Sequence, residues 1–153
     1  GLMAHHNVSP HAYLDFVHDI ALDRIGPDPA LAHAIKGLPG RKLVFTNADL
    51  PYARRVLEKR GLADCFEDVF DIHDASYQPK PALPAYHDFC AAHDVVPGRA
   101  AMFEDMARNL KPAKQLGMAT VWVNNGSEHG DADACSSFID VEIEDVGPWL
   151  AQF

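Results

Sequence analysis

Residues 100–123 read AAMFEDMARNLKPAKQLGMATVWV and decide the fold class. Ala100–Phe103 is a short apolar run of strand length, Ala107–Leu116 is typical of a helix that Gly117 ends, and Ala119–Val123 is a second, stronger strand. A strand, a helix and another strand of these lengths form a βαβ unit, in which the two strands run parallel. This stretch therefore predicts an α/β protein.

The same alternation extends to both sides of this unit. The pattern predicts further strands at Lys42–Phe45, Val69–Ile72 and Phe138–Ile143, and further helices at Leu50–Arg60, Pro81–Ala92 and Val146–Gln152. Two more helices are predicted before residue 37, capped by Ser9 and Asp28, and the polar stretch Asn124–Ser137 is predicted to be a solvated loop. We expect a Rossmann-like parallel sheet with helices on both faces, and functional side chains at the carboxyl ends of its strands.

The composition limits the classes of function. The chain has 153 residues, 48% of them hydrophobic, and a net charge of -9, which disfavours binding to a nucleic acid polymer or an anionic membrane. No apolar run reaches the length of a membrane helix. Cys65, Cys90 and Cys135 are widely spaced, and no signal peptide is visible, so we expect free thiols and a cytoplasmic protein.

An acidic pair, Glu104-Asp105, follows the strand Ala100–Phe103. Adjacent carboxylates repel each other unless a cation lies nearby, and hard oxygen ligands in pairs suit Mg²⁺. Taken alone, the pair is more simply explained by one carboxylate that caps the next helix and another that faces solvent.

Two further motifs follow strands. Thr46-Asn47 lies at a strand-to-helix turn, where hydroxyl and backbone donors can hold phosphate oxygens; an ordinary helix cap, for which Asp49 is also suited, is the simpler alternative. Lys80 lies between two prolines in a stiff loop, where it can hold a phosphate or simply face solvent. Together with Glu104-Asp105, in this order after strands of one sheet, these groups supply the parts of Mg²⁺-assisted phosphoryl transfer.

These residues resemble the motifs of the haloacid dehalogenase (HAD) superfamily. Val44–Asn47 is similar to its second motif, Lys80 in Pro-Lys-Pro to its third, and Phe103–Asp105 followed by Asn109 to its acidic fourth motif. The pyrimidine 5'-nucleotidase branch, with Phe-Thr-Asn, Pro-Lys-Pro and Phe-Glu-Asp, is the most similar. The resemblance covers essentially the whole chain. It implies the second half of a helical cap in residues 1–37 and a HAD-like Rossmannoid core in residues 38–153.

The resemblance also implies a role for each residue. Thr46 would bind the phosphoryl oxygens with help from Asn47, and Lys80 would neutralise the phosphoryl group and the nucleophile. Of Glu104-Asp105, the aspartate would coordinate Mg²⁺ directly and the glutamate directly or through water, while Asn109 would orient the acidic loop. The implied activity is Mg²⁺-dependent hydrolysis of a small phosphorylated metabolite, on this branch a pyrimidine nucleoside 5'-monophosphate.

The family's first motif, a strand that ends in Asp-x-Asp, has no counterpart in the sequence. Its first aspartate forms the aspartyl-phosphate and its second transfers protons. Asp15, Asp19 and Asp23 recur at helical spacing, and the aspartates near Val69–Ile72 come after Thr46, in the wrong order. We therefore expect a fragment that lacks the central nucleophile strand of the sheet and has little activity alone.

Several alternatives stay open. Within the superfamily they are a sugar-phosphate phosphatase, a phosphomutase and a 2-haloacid dehalogenase; the last needs no metal, so Glu104-Asp105 argues against it. From other classes they are a non-catalytic phosphate-binding or regulatory module and a receiver-like signalling domain, whose aspartate should precede Thr46. The sequence decides neither the substrate nor the oligomeric state, so a homodimer is left open. Tyr13, Phe16 and His18 are more simply core residues, with contact to a substrate base as the alternative.

Overall fold

The computed structural model describes residues 9–152, in which helices and strands alternate as predicted. Short 3₁₀ turns lie at Ala63–Cys65, Pro97–Arg99 and Ala107–Asn109. In chain order the elements are α1 (Pro10–His18), α2 (Pro29–Gly37), β1 (Leu43–Phe45), α3 (Leu50–Arg60), β2 (Asp68–Phe70), α4 (Leu83–Ala92), β3 (Ala101–Glu104), α5 (Leu110–Gln115), β4 (Ala119–Val123), β5 (Val141–Ile143) and α6 (Val146–Leu150).

The strands of residues 9–152 form two parallel sheets. In the first, β1 pairs with β2, and Phe45 lies opposite Phe70. In the second, β4 lies between β3 and β5, with Glu104 of β3 opposite Trp122 of β4. Within the described residues, β1 and β3 each pair with one strand, so each has one edge without a strand partner. The predicted α/β class with parallel strands is confirmed.

Local signals start and stop the helices. The Asp28 carboxylate accepts a hydrogen bond from the Leu31 amide at 3.0 Å, and proline at the first position of α2 needs no such partner. Asp49 caps α3 in the same way, by accepting from the Tyr52 amide at 2.9 Å. Gly61 ends α3 in the left-handed conformation that glycine adopts without strain. The helix cap beside the Thr46-Asn47 motif is therefore Asp49.

The last strand is shorter than the predicted Phe138–Ile143. Asp140 interrupts it, because its carboxylate accepts from the backbone amide of Thr120 at 2.9 Å and from the Thr120 hydroxyl at 3.0 Å. Phe138 turns into the core instead of extending the ladder. The helix predicted from Ala107 also differs, since it begins as a 3₁₀ turn before α5.

A cluster of aromatic side chains packs at the ends of β1 and β2. The ring of Phe45 stacks on Phe89 at 5.0 Å between centroids and meets Phe70 and Tyr86 edge-on at 5.5 and 5.1 Å. Edge-to-face and stacked contacts at these distances stabilise a core beyond the burial of apolar area. Phe45 is therefore fixed on several sides, directly before Thr46.

Helix α2 packs on residues from the segment that follows position 37. Its Ile35 shares a buried cluster with Leu62, Cys65 and Leu150. The proposed division into residues 1–37 and 38–153 stays a prediction, and residues 1–8 lie outside the described part of the chain. No helix within residues 9–152 has the length and apolar character needed to cross a bilayer.

Candidate active site

Lys80 has a buried ammonium group. Its side chain is 9% exposed, and Nζ lies 2.7 Å from Glu104 Oε2. Nζ also donates to the carbonyl oxygen of Phe45 at 2.8 Å and lies 5.1 Å from the centroid of the Phe45 ring. A lysine in a solvent-exposed turn, the simpler alternative, is therefore wrong.

Asn47 fastens the loop that carries this lysine. Its Oδ1 accepts from the backbone amide of Lys80 at 2.7 Å, and its Nδ2 donates to the backbone oxygen of Lys80 at 3.2 Å. The Lys80–Pro81 peptide bond is cis. The Asn47 amide thus holds the main chain of Lys80, which is a positioning role that the sequence did not predict.

Thr46 keeps a free hydroxyl proton at the end of β1. Its Oγ1 accepts from the Ala48 amide at 3.0 Å, and its backbone amide donates to Phe70 at 3.0 Å. Within residues 9–152 its O–H donates to no protein group, so it can donate to a substrate oxygen. Because Asp49 caps α3, the helix-cap explanation of Thr46 is wrong.

Glu104 is held through both carboxylate oxygens. Oε2 pairs with Lys80, and Oε1 accepts from Asn109 Nδ2 at 2.8 Å; the side chain is 8% exposed. It neither caps a helix nor faces solvent. Asn109 is itself buried, and its Oδ1 has no hydrogen-bond partner in the described chain. The predicted contact between Asn109 and the acidic loop is present.

Tyr86 extends this set of hydrogen bonds by contacting Asn109. Its ring is fully buried and its hydroxyl donates to the backbone oxygen of Asn109 at 2.6 Å. Burial and the nearby negative charge of Glu104 raise the pKa of Tyr86, so the hydroxyl stays protonated and keeps donating. This role could not be predicted from the sequence, because a tyrosine on the apolar face of α4 has the pattern of an ordinary core residue.

One chain of contacts therefore joins the two sheets. It runs from the Phe45 carbonyl through Lys80, Glu104 and Asn109 to Tyr86. Phe45 ends β1 in one sheet and Glu104 ends β3 in the other. The carboxyl ends of β1 and β3 are thus brought together, as the rule for parallel sheets predicts.

Asp105 differs from its neighbour Glu104. It is half-buried, and no hydrogen bond or ion pair reaches its carboxylate from any residue between 9 and 152. The described residues contain no cluster of three His, Cys, Asp or Glu side chains that would hold a metal alone. Mg²⁺ typically takes one or two carboxylates and fills its other positions with water and substrate oxygens. The free Asp105 carboxylate fits such a site, and Glu104, whose oxygens are both bonded, fits contact through water.

A family model described as a haloacid dehalogenase-like hydrolase matches residues 7–117, more than half of the chain. This chain belongs to the haloacid dehalogenase-like hydrolases. The superfamily that the motifs resemble is thereby confirmed. No curated protein shows significant similarity to the chain.

Solved structures show the same fold for this HAD hydrolase. L-2-haloacid dehalogenase from Xanthobacter autotrophicus, with chloropropionic acid covalently bound, is similar over 82% of the chain with a TM-score of 0.66 and 17% identity. A HAD phosphatase from Thermococcus onnurineus is similar over 90% with a TM-score of 0.58 and 23% identity. A HAD hydrolase from Bacillus subtilis, bound to magnesium, is similar over 81% with a TM-score of 0.64 and 16% identity. These structures confirm the HAD-like, Rossmann-type fold.

The chain spans 60% of the length of the first two of these proteins and 53% of the third. These structures include dehalogenases and phosphatases alike, and the likeness to them shows the fold alone. The choice among activities rests on the side chains of this HAD hydrolase.

Helix α1 contacts the core through two histidines. His11 stacks on His73 at 5.2 Å between centroids, and His18 stacks on Tyr52 at 4.3 Å. The aromatic residues between them are exposed, Tyr13 by 42% and Phe16 by 82%. Core packing of these two side chains, the simpler expectation, is wrong.

Tyr86→Phe tests the hydrogen bond between Tyr86 and Asn109 in this HAD hydrolase. The change removes one hydroxyl and leaves the buried Asn109 carbonyl without its donor, so we expect a loss of about 1–2 kcal/mol in the free energy of unfolding. Urea unfolding of both proteins measures it. Tyr13→Phe, at an exposed position, is the matched control and should change stability little. Equal stability of the Tyr86→Phe protein and its parent would contradict the assigned hydrogen bond.

Proposed function

We propose that this HAD hydrolase acts as a Mg²⁺-dependent phosphomonoesterase on a small phosphorylated metabolite. The observation that carries the proposal is the contrast within the acidic pair. Glu104 is bonded to Lys80 and Asn109, whereas the Asp105 carboxylate has no partner among the described residues. A half-buried carboxylate that no protein group neutralises has oxygens available for a hard cation such as Mg²⁺.

The groups around the strand ends suit a phosphoryl dianion. The Thr46 hydroxyl can donate to one phosphoryl oxygen, and the Lys80 ammonium supplies positive charge. Lys80 keeps one N–H for substrate, because an ammonium has three donors and two are bonded to Phe45 and Glu104. Such charge neutralisation by fixed groups is the main catalytic effect in phosphoryl transfer.

Mg²⁺ would be held by Asp105 directly and by Glu104 through water, and when bound it would offset charge on the phosphoryl oxygens. The nucleophile is proposed to be an aspartate that this sequence does not contain, which would form an aspartyl-phosphate. Thr46, Lys80 and Asn47 would bind and orient the phosphoryl group beside it. The magnesium-bound structure of the Bacillus subtilis relative is in line with this cofactor.

The substrate is proposed to be a pyrimidine nucleoside 5'-monophosphate. The support is the motif resemblance together with the exposed rings of Tyr13 and Phe16 on α1, which are free to contact an aromatic base.

The net charge of -9 supports a small ligand in place of a nucleic acid polymer or a membrane. The three cysteines are unpaired, which supports a cytoplasmic location.

A haloacid dehalogenase is the second candidate, since such enzymes are among the structural relatives. The acidic pair Glu104-Asp105 favours the phosphatase, because displacement of halide needs no cation. A non-catalytic phosphate-binding module would keep Thr46 and Lys80 but would show no turnover.

An assay of the full-length protein separates these candidates. We expect phosphate release from uridine or cytidine 5'-monophosphate with Mg²⁺ and none after chelation by EDTA. Adenosine 5'-monophosphate and a sugar phosphate, offered as alternative substrates, test whether turnover requires a pyrimidine base. Chloride release from 2-chloropropionate tests for dehalogenase activity. Chloride release that persists in EDTA would overturn the phosphatase proposal. Phosphate binding without turnover of any of these compounds would favour the non-catalytic module.

A further inference from the structure

The turn that carries Asp105 is supported from the side by the strand and loop that follow it in sequence. The indole Nε1 of Trp122, in β4, donates to the backbone oxygen of Asp105 at 3.0 Å. The backbone amide of Ala107 donates to the backbone oxygen of Gly130 at 2.8 Å. The polar stretch 124–137, predicted to be a solvated loop, therefore packs on the acidic turn through Gly130.

Gly130 is buried at the closest point of this contact. A Cβ atom at this position would lie 3.1 Å from the Asp105 backbone oxygen and 2.6 Å from the Oγ of Ser127, whose hydroxyl is buried and has no partner in the described chain. Its φ lies outside the left-handed region, so other residues can adopt its conformation. A side chain at this position requires the Asp105 turn and the loop to shift by a few tenths of an ångström, and glycine avoids that shift.

These supports matter more for Asp105 than for Glu104. The direction of the Glu104 side chain is fixed by its own bonds to Lys80 and Asn109. The Asp105 carboxylate has no such bond within residues 9–152, so its direction depends on the position of its backbone and on its own side-chain rotamer. A displacement of a few tenths of an ångström in the Asp105 carbonyl therefore moves the carboxylate directly.

We propose that Trp122 and Gly130 are positioning residues that set the affinity of the Asp105 carboxylate for Mg²⁺. The inference rests on the proposed function, because it takes Asp105 as the metal ligand. Groups that orient a metal ligand from the second layer commonly change metal affinity by about 10–100-fold when they are lost. The loop 124–137 thereby acts on the metal site through the backbone and without contributing a ligand.

The test is the Mg²⁺ dissociation constant of the full-length protein, measured by titration calorimetry without substrate. Gly130→Ala should weaken Mg²⁺ binding by about tenfold or more. Trp122→Phe, which removes the N–H donor and keeps an aromatic ring, should weaken it by about three- to tenfold. Gly98→Ala is the matched control, because a Cβ there meets no atom within 4 Å. It should bind Mg²⁺ as the parent does.

A second comparison separates positioning from folding. Gly130→Ala combined with Ser127→Ala removes the 2.6 Å contact with the hydroxyl but keeps the 3.1 Å contacts with the backbone oxygens of Asp105 and Ser127. We expect this double variant to regain stability against urea while its Mg²⁺ binding stays weak. Recovery of Mg²⁺ affinity in the double variant, or parent-like affinity in Gly130→Ala and Trp122→Phe, would overturn the inference. A parent protein that binds no Mg²⁺ would instead overturn the proposed function, and the inference with it.

Discussion

In the full-length protein, Lys80→Met should abolish turnover and also lower the free energy of unfolding by about 3–5 kcal/mol. The side chains of Lys80 and Glu104 are 9% and 8% exposed, so water screens their interaction little. Removal of the lysine leaves the Glu104 carboxylate buried with only the Asn109 amide as a partner. An uncompensated buried charge is among the largest single costs that a substitution can impose.

The double variant Lys80→Met with Glu104→Gln separates the two effects. A neutral amide beside methionine no longer carries a buried charge, so most of the lost stability should return while turnover stays absent. Lys59→Met, at an exposed position in α3, is the control and should change stability by less than about 0.5 kcal/mol. Urea unfolding and the phosphate-release assay report the two quantities. A Lys80→Met protein as stable as its parent would contradict the buried ion pair.

Asp105→Asn should show the opposite pattern, with activity lost and stability kept. The carboxylate has no partner within residues 9–152, so its replacement by an amide breaks no bond and removes repulsion from Glu104. We expect stability within about 0.5 kcal/mol of the parent or slightly higher. Turnover with Mg²⁺ should fall by about 10²–10³-fold, the scale for loss of one charge-stabilising group.

Asp88→Asn is the matched control for this change, because Asp88 is exposed on α4. It should leave turnover and stability unchanged. Parent-like turnover in Asp105→Asn at saturating Mg²⁺ would remove Asp105 from the proposed metal site. A large loss of stability would show that the carboxylate has a structural partner.

The elements of the fold were predictable because their signals are local. The helix Leu50–Arg60 and the strand Ala119–Val123 have the predicted bounds, since each is framed by its own cap, glycine or turn. The strand predicted at Phe138–Ile143 was wrong over its first half. The strand begins later because Asp140 binds Thr120, a residue of a neighbouring strand, and no local sequence pattern indicates that contact.

The sequence predicts which residues form the candidate site, but not which of them bond to one another. Thr46, Lys80 and Glu104-Asp105 were found because parallel strands bring their carboxyl ends to one edge. The direct Lys80–Glu104 pair joins residues 24 positions apart, and the Lys80–Phe45 bond joins residues 35 apart. Such contacts exist only once the chain has folded. The supporting roles of Tyr86, Trp122 and Gly130 also depend on contacts between residues distant in sequence, so no sequence motif indicates them.

The bridge that Lys80 makes between the two sheets has a consequence for how this lineage can change over time. Lys80 and Glu104 stabilise the fold as well as the proposed phosphoryl site, so selection would still keep both in a descendant that lost its activity. The Asp105 side chain makes no bond within residues 9–152, so this position would be free to change once catalysis ended. Among related sequences, the presence of this aspartate, and not that of the lysine–glutamate pair, should therefore distinguish active enzymes from inactive homologues.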